Sequence, residues 1–397
     1  MSLPPKSAVI FSYHTVGFGA RKASVVFLAE ALAGLGWQTN VVTTQLSRLS
    51  VLAGVPRLKN VPEDRRNIWI DLSDRLSAFV WVPLFHPATT GVSLLNRMAT
   101  PLFALYPHLL PESIRSRVRS SQLIVIESCA AVLLLPLLRK LAPTAQFAYR
   151  ACDPLNTVGM HPMLQTVLDR TAAQYDLFTS PSRGGLAGYN SDVKTCYLPQ
   201  GIDKSLLDAS VPSPLEGVGP HAIIAGDMMF DYVSVEMMMR NFPNVTFHMF
   251  GRMNVERFSS FPNLAFHGEV PFETLRDFMV HADIGIAPYL DRSDYHYLSD
   301  SSLKLAQYTY ARLPILAPHF CKGGRDHLKG YTPGDEDSIV RATEEVLRVN
   351  RQAIDRSGVY DWSEIAEMML AEVNSRRGAS IPEHPAMQET LRNPASG

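Results

Sequence analysis

Cysteine is scarce in this 397-residue chain, and the four present, Cys129, Cys152, Cys196 and Cys321, stand far apart. There is no Cys-x-x-Cys pair and no Cys/His ligand spacing. Neither a disulfide framework nor a zinc site is expected, and a reducing cytoplasm fits. Long apolar runs are missing too. Residues 1–12 lack the apolar stretch of a secretory signal. The most apolar run, 130–138, is about half a bilayer span and contains Pro136. No transmembrane helix is therefore expected, and any membrane contact must be peripheral. Net charge is nearly absent at −1, but the balance hides an asymmetry. Residues 1–200 hold 19 Lys and Arg against 11 Asp and Glu, a net of +8; the remainder hold 18 against 27, a net of −9. A basic N-terminal half suits anionic partners, either phosphates or an anionic membrane face.

What is present points to two cores. Hydrophobic residues make up 46% and charged residues 19%, which excludes a disordered chain or a coiled coil. The length exceeds one ordinary core and suggests two domains. Short apolar runs alternate with helical patterns throughout. In the first half, strands are expected at 8–12, 41–44, 123–127, 147–150, 177–180 and 195–198, with helices at 21–35, 130–140 and 163–174. The alternation restarts after Gly201. Strands are expected at 222–225, 245–250, 264–267, 284–287 and 315–317, and helices at 233–240, 272–281, 303–311, 337–349 and 362–373. The expected fold is α/β, with two Rossmann-like doubly wound domains facing a central cleft. Residues 1–202 form the first domain and 203–360 the second, with 203–220 as the linker. A helix at 361–377 packs back on the first domain, and 378–397 form a disordered tail. In such sheets ligands bind outside the strand C-termini, so the chemistry is sought in the cleft.

Gly226-Asp-Met-Met-Phe-Asp231, Phe250-Gly-Arg-Met253, His267-Gly-Glu269 and Ala287-Pro-Tyr289 each follow a strand, and Asp300-Ser-Ser-Leu-Lys-Leu-Ala-Gln307 opens a helix. Free N–H groups at Ser301 and Ser302 can hold a phosphate, and Lys304 adds a full charge. Gln307, one turn on, can reach a ribose or sugar hydroxyl. The plainer alternative is that Asp300 or Ser301 only caps the helix and Lys304 is solvated. Asp335-Glu-Asp337, after a Pro-Gly turn, reads as a helix cap rather than a metal motif. His14, His86, His161 and His296 share no ligand spacing, so no metal is expected.

The succession of these loops resembles the nucleotide-sugar domain of GT-B glycosyltransferases. Leu198-Pro-Gln-Gly-Ile-Asp203 looks like the segment that enters that domain. Residues 264–289, with Gly268, Ala282-Asp283 and Pro288, and Arg312-Leu-Pro314 resemble its later parts. Where retaining relatives carry a pair of glutamates, this chain has Ser299 and Gln307, which argues against the retaining type. Over most of residues 8–373 the sequence resembles the GumK family of inverting glucuronosyltransferases (glycosyltransferase family 70). The strongest pieces are Tyr149-Arg-Ala-Cys-Asp153, Val125-Ile-Glu-Ser128, His86-Pro87, Met228 to Asp231, Gly285-Ile-Ala-Pro-Tyr289, Asp300-Ser-Ser-Leu-Lys304 with Gln307-Tyr308, and Tyr331-Thr-Pro-Gly334.

Asp153 follows a strand and faces the cleft. An inverting transfer needs a base for the acceptor hydroxyl. The resemblance implies that role for Asp153; the alternative is a turn or cap before Pro154. Glu127 either positions the acceptor or Arg150, or is structural. Arg21 and Lys22, in the glycine-containing loop after the first strand, either contact a phosphate or do not align with the family's basic pair. The resemblance implies that Met228, Glu269, Tyr289, Ser302, Leu303, Lys304 and Gln307 bind a UDP-sugar donor. Leu303 departs from a methionine in that set. Lys304 would offset the leaving UDP's charge, so no metal or other cofactor is implied.

Residues 80–119 mix Trp81, Phe85, Leu94, Leu95, Phe103, Leu105, Tyr106, Leu109 and Leu110 with Arg97, Arg115, Arg117 and Arg119. This is the chemistry of an interfacial helix, or of an ordinary amphipathic helix packed on a sheet. The family's habit and the basic half imply peripheral, monotopic attachment to the cytoplasmic face of the inner membrane. The expected activity is transfer of glucuronic acid from UDP-glucuronate to a polyprenyl-diphosphate-linked oligosaccharide, in exopolysaccharide biosynthesis. No nucleic-acid partner is expected. Another UDP-hexose donor is the nearest alternative. A UDP-sugar epimerase, which needs no acceptor, and a catalytically dead binding subunit are the rival classes.

Overall fold

The computed structural model describes residues 6–18, 23–55, 58, 60–89, 92–155, 159–186 and 193–375. The expected tail at 378–397 lies outside the described residues.

Two sheets organise the chain. The first holds β1 (Ser7–Ser12), β2 (Gln38–Thr43), β3 (Trp69–Ser73), β4 (Leu76–Val80), β5 (Leu123–Glu127), β6 (Gln146–Arg150), β7 (Leu177–Ser180) and β8 (Thr195–Tyr197), in the order β3-β4-β2-β1-β5-β6-β7-β8. All neighbours are parallel except β3, an antiparallel edge strand on β4. The second holds β9 (His221–Ala225), β10 (Thr246–Phe250), β11 (Leu264–Gly268), β12 (Ile284–Ile286), β13 (Ile315–Pro318) and β14 (Leu328–Tyr331), all parallel, in the order β11-β10-β9-β12-β13-β14. Because the central strands are covered on both faces, their sequences read as unbroken apolar runs. Along β1, Val9 and Phe11 join Ile124, Ile126 and Phe147 on one face. Ala8 and Ile10 join Val41, Val125 and Ala148 on the other. The order β2-β1-β5 and the order β10-β9-β12 each reverse direction at the middle strand, which leaves a crevice at its C-terminal end.

The helix Trp362–Asn374 returns to the first sheet's layer. Asp361 caps it in a reciprocal box with Glu364. Its Trp362, Ile365, Ala366, Met369 and Val373 join the core of the helix Ser24–Gly34, and Trp362 stacks on Phe27 at 5.7 Å. Lys194 and Lys204 pair with Glu372 and Glu364 at 2.7 and 2.6 Å. Gly201 permits this docking: a Cβ there would sit 2.7 Å from the Trp362 ring. The chain thus crosses between the two sheets twice, near 201 and near 361.

Three local expectations change. Residues 130–141 begin as a 3-10 helix, Ala130–Leu134, before Leu135–Leu141 becomes α-helical, with Pro136 in its first turn. The helix expected at 303 is preceded by a separate turn, Leu298–Ser301, and a break at Ser302. The amides of Ser301 and Ser302 donate to Tyr297 O and Leu298 O at 3.1 Å each, so neither is free for a phosphate. The cap of the helix Leu303–Tyr310 is Ser302, not Asp300 or Ser301; its Oγ accepts from Leu305 N–H at 3.3 Å. Asp335 caps the helix Glu336–Leu347.

The segment 80–119 also divides. Trp81, Phe85, Phe103, Tyr106 and Leu110 are core residues. Leu94, Met98 and Leu102, on the helix Ser93–Phe103, are 66%, 70% and 45% exposed, and Leu95 and Leu105 are exposed beside them. The three arginines of the helix Glu112–Arg119 are engaged within the protein. Arg115 Nε donates to Leu110 O at 2.8 Å. Arg117 lies 3.8 Å over the Trp69 ring and donates to Asn40. Arg119 pairs with Glu112. The apolar stripe, with Arg97, remains as the outward-facing part. Among the described residues no helix is long and apolar enough to cross a membrane.

Candidate active site

The strand C-termini of the first sheet deliver a set of polar residues to the cleft. β5 ends in Glu127 and β6 in Arg150, neighbours in register. They form an ion pair of 2.6 Å with side chains only 3% and 6% exposed. Ser12, at the end of β1, donates to the other Glu127 oxygen at 2.6 Å. Arg150 also reaches Ser24 Oγ at 3.0 Å and Gln200 Oε1 at 3.4 Å. Both Glu127 oxygens thus accept hydrogen bonds within the protein, and Glu127 also borders the cleft cavity.

Asp153 sits three residues beyond β6. Tyr13 Oη, just past β1, donates to Asp153 Oδ2 at 3.4 Å. Tyr297 Oη, from the opposite domain, donates to Oδ1 at 3.5 Å. Burial raises the Asp153 carboxyl above the usual carboxylate range, and the Glu127 charge adds to this. The two phenols and Arg150 oppose the rise. Burial, helped by the Asp153 charge, pushes the Tyr297 phenol up to about 12. Cys152 Sγ is 3.6 Å from Glu127 Oε1, and burial holds its thiol well above the ordinary range, so it stays protonated.

The second sheet supplies the facing wall. Gly226, at φ +84°, follows β9, and a Cβ there would come within 3.9 Å of Lys304 Nζ. Met229 holds φ +52°, a costly conformation for a residue with a side chain, in the same loop. Lys304, in the first turn of Leu303–Tyr310, lies 4.8 Å over the Tyr289 ring. Tyr289 Oη in turn contacts Ser302 Oγ at 2.8 Å. Burial lowers the Lys304 ammonium to about 8, although the Cys321 thiol and Asp227 favour its charge.

Both walls border one cavity of about 400 Å³, in which Asp153, Tyr13 and Glu127 stand opposite Met228, Tyr289, Ser302, Leu303 and Lys304. Two residues of the expected donor set are not among its lining. Glu269, at the end of β11, pairs with Arg252 at 2.5 Å, farther out along the rim. Gln307 is half-buried one turn beyond Lys304. Arg21 and Lys22 lie outside the described residues. Sequence reasoning missed Tyr13, His14, Gln200 and Tyr297, which also line this cavity. Tyr13 and His14 carried a signal, since they directly follow β1. Tyr297 carried none, because its partner belongs to the other domain.

Two parallel-sheet α/β domains that border a cleft, with a carboxylate from one and a lysine at a helix start from the other, have the GT-B architecture. Two solved structures share this fold. Anabaena HepE in complex with UDP and glucose has a TM-score of 0.59 at 13% identity, covering 93% of this chain and 99% of that one. AviGT4, a glycosyltransferase involved in avilamycin A biosynthesis, has a TM-score of 0.51 at 14% identity, covering 95% and 99%. Residues 10–181 match the family model described as glucuronosyltransferase GumK, N-terminal domain. The UDP-glucuronate:glycolipid 2-beta-glucuronosyltransferase of Xanthomonas campestris pv. campestris is 30% identical over 351 residues, 88% of this chain and 86% of that protein. The chain belongs to the GumK glucuronosyltransferase family.

Proposed function

We propose that this protein transfers glucuronic acid from UDP-glucuronate to a polyprenyl-diphosphate-linked oligosaccharide, with inversion and with Asp153 as general base. The observation that carries the reading is the placement of Asp153 and Lys304 on opposite walls of one cavity. In the reaction the acceptor hydroxyl gives its proton to an Asp153 oxygen. The acceptor oxygen forms a bond to the anomeric carbon as the bond to the UDP oxygen breaks. That electron pair leaves on the diphosphate, where the Lys304 ammonium offsets the charge that develops. A raised carboxyl makes Asp153 a stronger base than a solvated aspartate, while Tyr13 and Tyr297 keep enough of it ionised and aim its oxygens. Lys304 fills the part that a divalent cation plays in other transferases, so we propose metal-independent turnover.

The substrate choice follows from the family and from the relative's donor and glycolipid acceptor. The exposed stripe of Leu94, Leu95, Met98, Leu102 and Leu105 supports peripheral attachment to the cytoplasmic face of the inner membrane, where such an acceptor would be met. A role in exopolysaccharide assembly accords with a lipid-linked glycan substrate. The test is a screen of UDP-sugars with glycolipid extract as acceptor, followed by the anomeric configuration of the product. The reading expects acceptor-dependent UDP release with UDP-glucuronate and a β-linked product. Preference for another UDP-hexose would replace the donor. Sugar conversion without acceptor would favour an epimerase, and an α-linked product would overturn the single displacement.

A further inference from the structure

The helix Ser93–Phe103 packs Ala99 and Phe103 on the core but carries a second apolar stripe on its outer side. A helix on a soluble domain buries its apolar face and exposes its polar one. Here Leu94, Met98 and Leu102, at i, i+4 and i+8, point outward. Ser93, Asn96, Arg97 and Thr100, at i, i+3, i+4 and i+7, border an open cavity of about 450 Å³ beside the helix, with Ser93 and Arg97 exposed. Asn96 is buried, and His161 on the far side is buried as well. The His161 ring uses both nitrogens to fix the arrangement. Nε2–H donates to Asn96 O at 2.9 Å, and Nδ1 accepts from Met163 N–H at 3.2 Å. Arg97 lies on this rim, and among the described residues no carboxylate pairs with it. A single uncompensated guanidinium among hydroxyls, beside a helix whose other face is apolar, is a site for a phosphate ester at a membrane surface.

The cavity also adjoins the chemistry. Met163 and Thr166, in the first turn of the helix Met163–Thr171, line it. Gln165, in the same turn, lines a small cavity that contains Asp153. Adjacent residues of one helix, Gln165 and Thr166, thus line the two cavities.

We propose that this cavity seats the phosphate of the lipid-linked acceptor: Arg97, Ser93 and Thr166 hold the phosphate ester, and the outward stripe lies in the acyl layer that carries its lipid. The inference rests on the lipid-linked acceptor proposed above. The test uses the full chain in flotation with phosphatidylcholine vesicles that carry undecaprenyl diphosphate, phosphatidylglycerol at equal charge, or undecaprenol alone. The wild type is expected to prefer the diphosphate vesicles. Arg97→Gln should weaken that binding about tenfold, the loss of one charge-assisted contact, and erase the preference over phosphatidylglycerol. Thr166→Val should weaken it less, in the same direction. Arg97→Gln with the wild-type preference intact would overturn the site, as would a wild type that binds both anionic vesicles equally, which assigns the cavity to ordinary headgroups. The same preparations are assayed for transfer to glycolipid extract. A wild type that prefers the diphosphate but transfers nothing keeps the site and loses the function. One that transfers while Arg97→Gln keeps its preference keeps the function and loses the site.

Discussion

Asp153 accepts hydrogen bonds from Tyr13 and Tyr297, and the groups around it have separable consequences. Tyr297→Phe removes a donor that favours the charged carboxylate. The acid limb of the kcat/KM profile should move to higher pH, while affinity for UDP stays within about twofold, because the Tyr297 hydroxyl bonds the Asp153 carboxylate and not the Lys304 ammonium. An unmoved limb would show that the 3.5 Å contact does not act on the base. The proposed donor role of Lys304 assigns it the alkaline limb. Its free-enzyme value near 8 predicts that kcat/KM for the donor falls above pH 8 as the ammonium is lost. Lys304→Met should flatten that limb and lower turnover at every pH. Glu127 tests the difference between support and chemistry. Glu127→Ala leaves the Arg150 guanidinium buried without its partner, which costs about 3–5 kcal/mol of stability. A large fall in Tm is expected, whereas an acceptor ligand would show a raised acceptor KM with Tm unchanged.

At the level of elements, a row of imidazoles crosses the second sheet. His221 on β9, His248 on β10 and His267 on β11 are linked Nδ1 to Nε2 at 3.0 Å in both steps. Each link needs one proton, and His248, in the middle, has both ring nitrogens engaged. Burial, together with the two neighbouring rings, lowers His248 to about 4, and burial lowers His267 as well. An unfolded histidine takes its proton near pH 6.5. Between pH 6.5 and 4 the unfolded chain therefore binds more protons, and stability falls as pH falls through that window. The loss is on the order of 2 kcal/mol after allowance for solvent screening. Urea midpoints measured at pH 7.5 and pH 5 should show it, and equal midpoints would exclude it. His248 and His267 fell within expected strands and His221 one residue before one; that their rings meet depends on register. The same limit explains other gaps. β1, β5 and β6 announce themselves because both faces are buried. β3, with Asp71 and Ser73 on an exposed edge, and β14, with Lys329 and Gly330, do not. The helix Ser93–Phe103 showed its amphipathic period in sequence, but the period does not say which face looks inward.

For the whole molecule, the two sheets are joined by more than the linker. Trp362 binds the last helix to the first domain, so Trp362→Ala should cost about 3–5 kcal/mol and leave a cavity against Phe27 and Gly201. Arg183 reaches Asp300 across the domains with both its amide and its guanidinium, at 3.1 and 3.4 Å. This contact is half-exposed and contributes less than about 1 kcal/mol, so it can open with the cleft. The outward stripe acts at the same scale: Leu94→Ser with Met98→Ser should abolish vesicle binding without lowering Tm, because neither side chain is in the core. The GT-B architecture and both key residues, Asp153 and Lys304, were legible as strand-end and helix-start positions. Their meeting across the cleft was expected from the resemblance to the GT-B fold rather than from the residues alone, since it depends on how the two sheets face one another. That meeting is the central claim, and Asp153→Asn tests it most directly. The side chain keeps its size and its place, so UDP affinity by calorimetry should match the wild type, while kcat for transfer to glycolipid should fall about 10²–10⁴-fold. Undiminished turnover with intact UDP binding would contradict the account.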